Sequence, residues 1–318
     1  MTTPSPTRLT ARTSEDLLAM VPVVLGFQPA DSVALLTFGA ARPFHARIDL
    51  PASPTEDADI VRALLEPARH HEVARVAVVV YAAPSRATTV HRLGGPLVRA
   101  FQRAGIDVVD ALWADGERWH PLLGRREGVP EEGVPYDVSS HQFTAQAVLD
   151  GRALLASRGE LERVLDPDPD GMAVIASRLA RPVRATGSAV AAAVARHLDA
   201  GRLPDGVLAA VLLGIRNPAV RDAAWVPVRR AVARDHVRLW SDAVRRAPAE
   251  VRGGAAAVLA MVAWISGDGA LAWCAIDRCQ QVDPDNSLAR LVAEALQRAV
   301  PPDTLDELQE AGAVDPWW

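Results

Sequence analysis

Arg75-Val-Ala-Val-Val-Val-Tyr81 decides the fold. Between its arginine and its tyrosine there is no polar position, and four of its residues are β-branched. Such a run cannot leave either face in water, so it reads as a central strand covered on both sides. Upstream, Asp31-Ser-Val-Ala-Leu-Leu-Thr-Phe38 is a second short apolar run that stops at Gly39. Pro43-Phe-His-Ala-Arg-Ile-Asp-Leu50 then alternates strictly. Phe44, Ala46, Ile48 and Leu50 face one side of that strand, and His45, Arg47 and Asp49 the other. The short polar link between the two runs predicts an antiparallel hairpin.

Between this hairpin and the central strand, Ser53-Pro-Thr-Glu56 has the pattern of a capping box with proline at the first helical position. Ile60, Leu64 and Leu65 give the helix that follows its apolar stripe. Downstream, Ser85 is placed to cap another helix, which Gly94-Gly95-Pro96 interrupts and Gly105 closes. Ile106 to Ala114 and Glu117 to Leu122 read as a strand pair around Asp115-Gly116. The expectation is an α/β (or α+β) domain over residues 30–135 with a mixed sheet, preceded by an N-terminal arm and short helix over 1–29. Gly124 to Asp137 turns to Gly, Pro and Glu, the composition of a linker. Beyond it, residues 136–318 are Ala, Leu, Val and Arg at helical spacing, an all-α domain.

That half carries a faint repeat. Trp240, Ala243 and Pro248 recur as Ile276, Cys279 and Pro284, an offset of 36 residues with the same internal spacing. Leu259, Ala260 and Ala272 fall where a tetratricopeptide-type hairpin needs a large, a small and a small residue. Repeat-like hairpins are therefore expected over about 217–300, near the ~34-residue period of that class.

The chain has 318 residues and a net charge of −5, with 49% hydrophobic residues and no lysine, so every basic side chain other than histidine is arginine. Phosphate-loop lysines, Schiff-base lysines and Ser–Lys dyads are excluded together. The acidic balance offers no general surface for nucleic acid or anionic membranes. No secretory signal is read at Met1 to Ala11, and no stretch reaches the ~18 apolar residues of a membrane span. Cys274 and Cys279 are five positions apart on a helical pattern, which points their side chains apart and suits two core residues in a cytoplasmic protein.

No Gly-rich nucleotide fingerprint, His-Glu-x-x-His motif or Gly-x-Ser-x-Gly elbow occurs. Asp166-Pro-Asp-Pro-Asp-Gly171 imitates the opening of a calcium loop, but two prolines interrupt it and Ser177 stands where the bidentate Glu belongs, so a helix terminator and turn is the reading. No metal or cofactor is expected. The leading candidate ligand-binding set is His45, Arg47 and Asp49, with Asp31 and Ser32 entering the adjacent strand. Alternate polar residues can converge on one anion, with the guanidinium binding it and the carboxylate orienting the guanidinium. The plainer alternative is an exposed strand face with an ion pair. His70-His71 suit a helix C-terminus, and His141 with Asp137 and Ser139 an N-cap cluster. Arg229, Arg230, Arg234, Arg238, Arg245 and Arg246 read as a solvated helix face with local ion pairs. Trp317-Trp318 reads as a terminal pair that docks back or anchors a partner.

The segment from Leu9 to Val33, with Leu17-Leu-Ala-Met-Val-Pro22 and Leu25-Gly-Phe-Gln-Pro29 at its core, resembles the actinobacterial family called domain of unknown function 4192. The likeness continues through Arg47-Ile-Asp-Leu-Pro51, Trp119, Ala147-Val-Leu-Asp-Gly-Arg152, Ser157-Arg158 and the Gly253 to Pro284 region. It implies a cytoplasmic actinobacterial protein and no particular activity. Members often carry a Cys-rich stretch after the Trp-bearing strand, whereas Leu123 to Gly133 here holds no cysteine. The functional expectation is a non-catalytic adaptor or binding protein that meets another protein through its helical half, with no membrane and no nucleic acid. The alternative is a small-molecule or nucleotide-handling enzyme with its site on the α/β domain.

Overall fold

The computed structural model describes residues 10–40, 44–149, 154–180 and 183–310. Pro43, the Asp150-Gly-Arg152 end of the family-like motif and the Trp317-Trp318 pair lie outside the described residues. The chain divides into two compact units, Met1–Arg158 and Gly159–Trp318.

In the first unit, α1 (Ser14–Leu25) leads into β1 (Ser32–Phe38) and β2 (His45–Asp49). They are followed by α2 (Asp57–His70), β3 (Arg75–Tyr81), α3 (Ala87–Arg103), β4 (Asp107–Ala114), β5 (Arg118–Pro121), β6 (Val134–Pro135) and α4 (Gln142–Leu149). The six strands form one mixed sheet in the order β2-β1-β3-β4-β5-β6. β3 and β4 are parallel and every other neighbouring pair is antiparallel. β3 is buried from Val76 to Tyr81, as its uninterrupted apolar run requires. On one face, Leu64 and Ala68 of α2 and Val90, Leu93, Leu97 and Phe101 of α3 cover Val33, Leu35, Val76, Val78 and Val80. On the other, Leu17, Leu18 and Val21 of α1 cover Ala34, Leu36, Ala77, Val79 and Leu112. Each buried valine, leucine or phenylalanine among these stabilises by roughly 1.5–3 kcal/mol before chain entropy is counted, so both helical layers are held chiefly by packing. The turn between β4 and β5 is closed by Gly116, whose φ of 106° a side chain would resist. The Asp115 carboxylate accepts from the amides of Glu117 and Arg118 across that turn.

Three local expectations are corrected. First, α3 runs unbroken through Gly94-Gly95-Pro96. Proline forfeits one backbone bond there, but the apolar stripe on both sides stays seated on the sheet, which outweighs the loss. Gly94 permits the seating, because a Cβ at that position would lie 2.7 Å from the Leu122 side chain. Second, Ser85 makes no side-chain cap; a short 3₁₀ turn, Pro84–Arg86, opens that helix. Third, the reciprocal box at Ser53 does not form: the Glu56 carboxylate instead accepts from the Ala52 amide at 2.9 Å, over a 3₁₀ turn that flows into α2.

The composition shift at 124–137 does not coincide with the division between units. β6 extends the sheet, Tyr136 and Val138 pack on its α1 side, and α4 packs against α1. Gly, Pro and Glu mark a change in backbone geometry, and the packing continues through it to Arg158.

The second unit holds α5 (Arg158–Arg163, starting at the boundary), α6 (Pro169–Leu179), α7 (Gly187–His197), α8 (Asp205–Gly214) and α9 (Pro218–Asp222). After them come α10 (Ala233–Arg246), α11 (Ala249–Ser266), α12 (Gly269–Gln280), α13 (Ser287–Gln297) and α14 (Asp303–Glu310). Two-residue links join α10 to α11 and α11 to α12, and each pair packs along its length, so they are antiparallel hairpins. Gly267, at φ 85°, makes the second reversal. α11 is long and apolar enough to cross a membrane, but most of it is buried against its neighbours, as a core helix is. The repeat positions Trp240, Ala243, Ile276 and Cys279 are all buried.

Asp168 caps α6 by accepting from the Gly171 amide, so the calcium-like segment starts a helix instead of ending one. The arginine series also needs one correction. Arg238 pairs with Asp235 on the surface, but Arg246 is only 1% exposed. Its guanidinium donates to Asp205, Asp242 and the Leu203 carbonyl. A buried guanidinium survives only where its donors are met, and here two carboxylates and a carbonyl meet them.

Candidate functional site

Strand alternation places His45, Arg47 and Asp49 on the face that α1 covers, but α1 and the segment after it divide them. The Arg47 guanidinium donates to Asp49 at 2.7 Å and to the Ala30 carbonyl at 3.2 Å, and it lies over the Phe27 ring at 5.8 Å. Asp49 also faces Arg158 at 3.9 Å. Ser32 is opposite Asp49 on one side and Tyr81 on the other, and it is fully buried. Asp31 is exposed at φ 42°, and its carbonyl accepts from Leu50, which closes the entry to β1. These four build the junction between α1 and the sheet. His45, at the far end of β2, belongs to a different place.

That place is a cleft of about 800 Å³ beneath the start of α1. Its walls include Arg12, Ser14, Thr37, His45, Arg75, Asp110 and Arg126, with Leu17, Met20, Phe38 and Val109 supplying apolar surface. The start of α1 is pinned from two directions. Thr13 and Asp16 form a complete capping box: the Thr13 hydroxyl accepts from the Asp16 amide, and the Asp16 carboxylate accepts from the Thr13 amide. The same carboxylate accepts from the Arg12 amide at 2.7 Å and from Nε2 of His141 at 3.1 Å. Nδ1 of His141 accepts from the Phe143 amide, which puts the ring's donor on the Asp16 side and ties α4 to α1. Burial alone would raise the Asp16 carboxyl, but the Arg12 and Thr13 amides, the Thr13 hydroxyl and His141 together hold it below its ordinary value.

On the sheet side, the Ser14 hydroxyl donates to Asp110 at 2.7 Å, and Arg126 pairs with the same carboxylate while stacking on Trp119 at 5.7 Å. Arg126 and Asp110 therefore offset each other. Arg12 and Arg75 are exposed, and among the described residues neither guanidinium has a carboxylate partner. His45 is mostly buried, and burial pushes its imidazole down to about 4, so the ring is neutral at pH 7. Its Nδ1 faces the Thr37 amide at 3.4 Å, leaving Nε2–H as its free donor. Among the described residues the cleft thus presents two cations without a carboxylate partner, an imidazole donor and a patch of hydrocarbon.

At the opposite end of this sheet face, the hydroxyls of Ser32 and Tyr81 and the indole N–H of Trp119 are buried without a hydrogen-bond partner. Tyr81 pairs in register with Ser32 and Ala114, and Ala114 with Trp119, so the three stand in one cross-strand row. Burial, with Tyr136 nearby, pushes the Tyr81 phenol well up.

Of the five residues singled out from sequence, only His45 lines the cleft. Arg12, Ser14, Arg75, Asp110 and Arg126 were not singled out. The Thr13-x-x-Asp16 box was a readable signal for the helix start, but nothing local connects it to Arg75 or Arg126. No curated protein and no solved structure matches the chain. One family model does match, over residues 15–303, which takes in the whole sheet, the hairpins of the helical unit and the cleft walls from Leu17 onward, while Arg12 and Ser14 lie before it. The chain belongs to that family, described as Domain of unknown function (DUF4192).

Proposed function

We propose that this protein is a cytoplasmic binding protein whose α/β unit takes a small organic anion in the cleft beneath α1. The observation that carries the reading is the pair of guanidinium groups, Arg12 and Arg75, which line a cleft of about 800 Å³ and, among the described residues, pair with no carboxylate. That volume is in the range of pockets that hold small molecules. Arginine's planar donor fork suits phosphate and carboxylate oxygens. The test is calorimetric titration of the full chain with inorganic phosphate and with acetate. Saturable binding of either anion that falls at least tenfold in Arg75→Ala is expected. The variant should keep its stability within about 0.5 kcal/mol, because Arg75 is an exposed residue. No binding of either anion, or binding that ignores the substitution, refutes the reading.

A second reading, docking of another protein along the helical unit, is supported by the consecutive hairpins of α10, α11 and α12. We read these as tetratricopeptide-like, since the buried Trp240/Ala243 and Ile276/Cys279 pairs occupy matching places in α10 and α12. Stacked hairpins present extended surfaces suited to a partner. Capture of a partner that requires residues 159–318 supports this reading, and capture that survives their removal refutes it.

A further inference from the structure

Resting on the reading of the cleft as an anion site, we infer that its ligand is an amphiphile: a phosphomonoester, or a similarly charged single head, carrying a hydrocarbon or aromatic body. Three observations converge on this class. The charge count comes first. With Arg126 and Asp110 paired, the uncompensated charge among the described lining residues is that of Arg12 and Arg75, which matches the two negative charges of a phosphomonoester near neutral pH. A singly charged carboxylate leaves one of them over.

The layout of the lining comes second. Arg12 and Arg75 are exposed, while Leu17 is buried and Met20 and Phe38 are half-buried. A charged head therefore meets its partners where water still reaches, and the apolar body lies against Leu17, Met20 and Phe38, where water is displaced. Val109 continues this apolar wall outward; it is 45% exposed, a β-branched hydrophobe left uncovered beside the cleft. A site for a bare inorganic anion needs none of this hydrocarbon.

The donors come third. Nε2–H of the neutral His45 ring and the Ser14 hydroxyl line the same space, and neither adds charge. The Ser14 hydroxyl gives its hydrogen to Asp110 and receives one from Arg126 at 3.2 Å, so it is already occupied. His45 thus supplies the uncharged donor among these lining residues, suited to an ester or ether oxygen between head and body. At neutral pH it cannot compete for the phosphate as a cation, and that selects the ester linkage over a second anionic group.

Calorimetry of the full chain with inorganic phosphate and methyl, butyl and hexyl phosphate tests the proposal. Affinity should rise about threefold to fourfold per methylene that enters the apolar wall. Val109→Ser should weaken hexyl phosphate more than it weakens inorganic phosphate, and hexanol should bind far more weakly than hexyl phosphate. If inorganic phosphate binds as tightly as hexyl phosphate and both still need Arg75, the amphiphile proposal is overturned and the anion site stands. If none of the phosphates binds, the anion site falls as well.

Discussion

Asp16 is the residue through which the start of α1 is held over the cleft, and its removal has a calculable cost. Its carboxylate accepts from the Arg12 amide, the Thr13 amide and the His141 ring, at 2.7, 3.0 and 3.1 Å. Loss of an N-terminal capping arrangement costs about 1 kcal/mol, and a hydrogen bond to an ionised group about 1.5–3 kcal/mol. The side chain is only 13% exposed, so solvent screening discounts this little. Asp16→Ala should therefore destabilise the α1 end by about 3 kcal/mol, on the order of 150-fold in its opening equilibrium. Hydrogen exchange of the amides from Leu17 to Leu25 at pH 7 reads that factor directly. The pH dependence has a definite sign. The folded carboxyl titrates below its ordinary value of 3.8, so the unfolded chain binds the proton first as pH falls. The stabilisation is complete above pH 3.8 and disappears as pH drops through the lower folded value. Denaturation of the two proteins at pH 7 and near pH 3 should show the gap closing. A gap below about 1 kcal/mol at pH 7, or one that does not shrink in acid, would falsify the assignment. His141 remains in Asp16→Ala, so a parallel His141→Ala that loses about half as much checks that the two act through one bond.

Tyr81→Phe removes a hydroxyl that is buried without a partner, so it should leave stability unchanged or raise it by about 1 kcal/mol in urea denaturation. A loss above about 1 kcal/mol would mean that the hydroxyl is satisfied in solution, by water or by a ligand. In the helical unit, Gly214→Ala places a Cβ 2.5 Å from the Ala185 carbonyl oxygen. Backbone cannot yield there as a flexible side chain would, so a loss of about 2–3 kcal/mol is expected despite alanine's better helix propensity, and thermal unfolding that is unchanged or improved contradicts that packing.

Much of this protein was legible in its sequence. The apolar run at Arg75–Tyr81, the strict alternation at residues 44–50 and the Asp115-Gly116 turn each follow from a local rule, and each stands in the structure as the central strand, the edge strand and the β4–β5 reversal. Periodicity reports which way a residue faces, and it did so correctly for His45, Arg47 and Asp49. It does not report what comes to meet that face. The structure separates His45 from Arg47 because α1 and Phe27 close over one end of β2 and leave the other beside the cleft. Local rules also misjudged Pro96, where a forbidden residue persists inside α3 because packing on the sheet outweighs one lost bond. They misjudged Arg246 as well, since Asp205, one of its partners, is supplied from another helix. The cleft is the extreme case. Arg12, Arg75 and Arg126 come from the start of a helix, the start of a strand and a loop, distant in sequence and without a shared pattern. Convergence of exposed charges from separate elements leaves no local trace, so only the tertiary structure could bring them together.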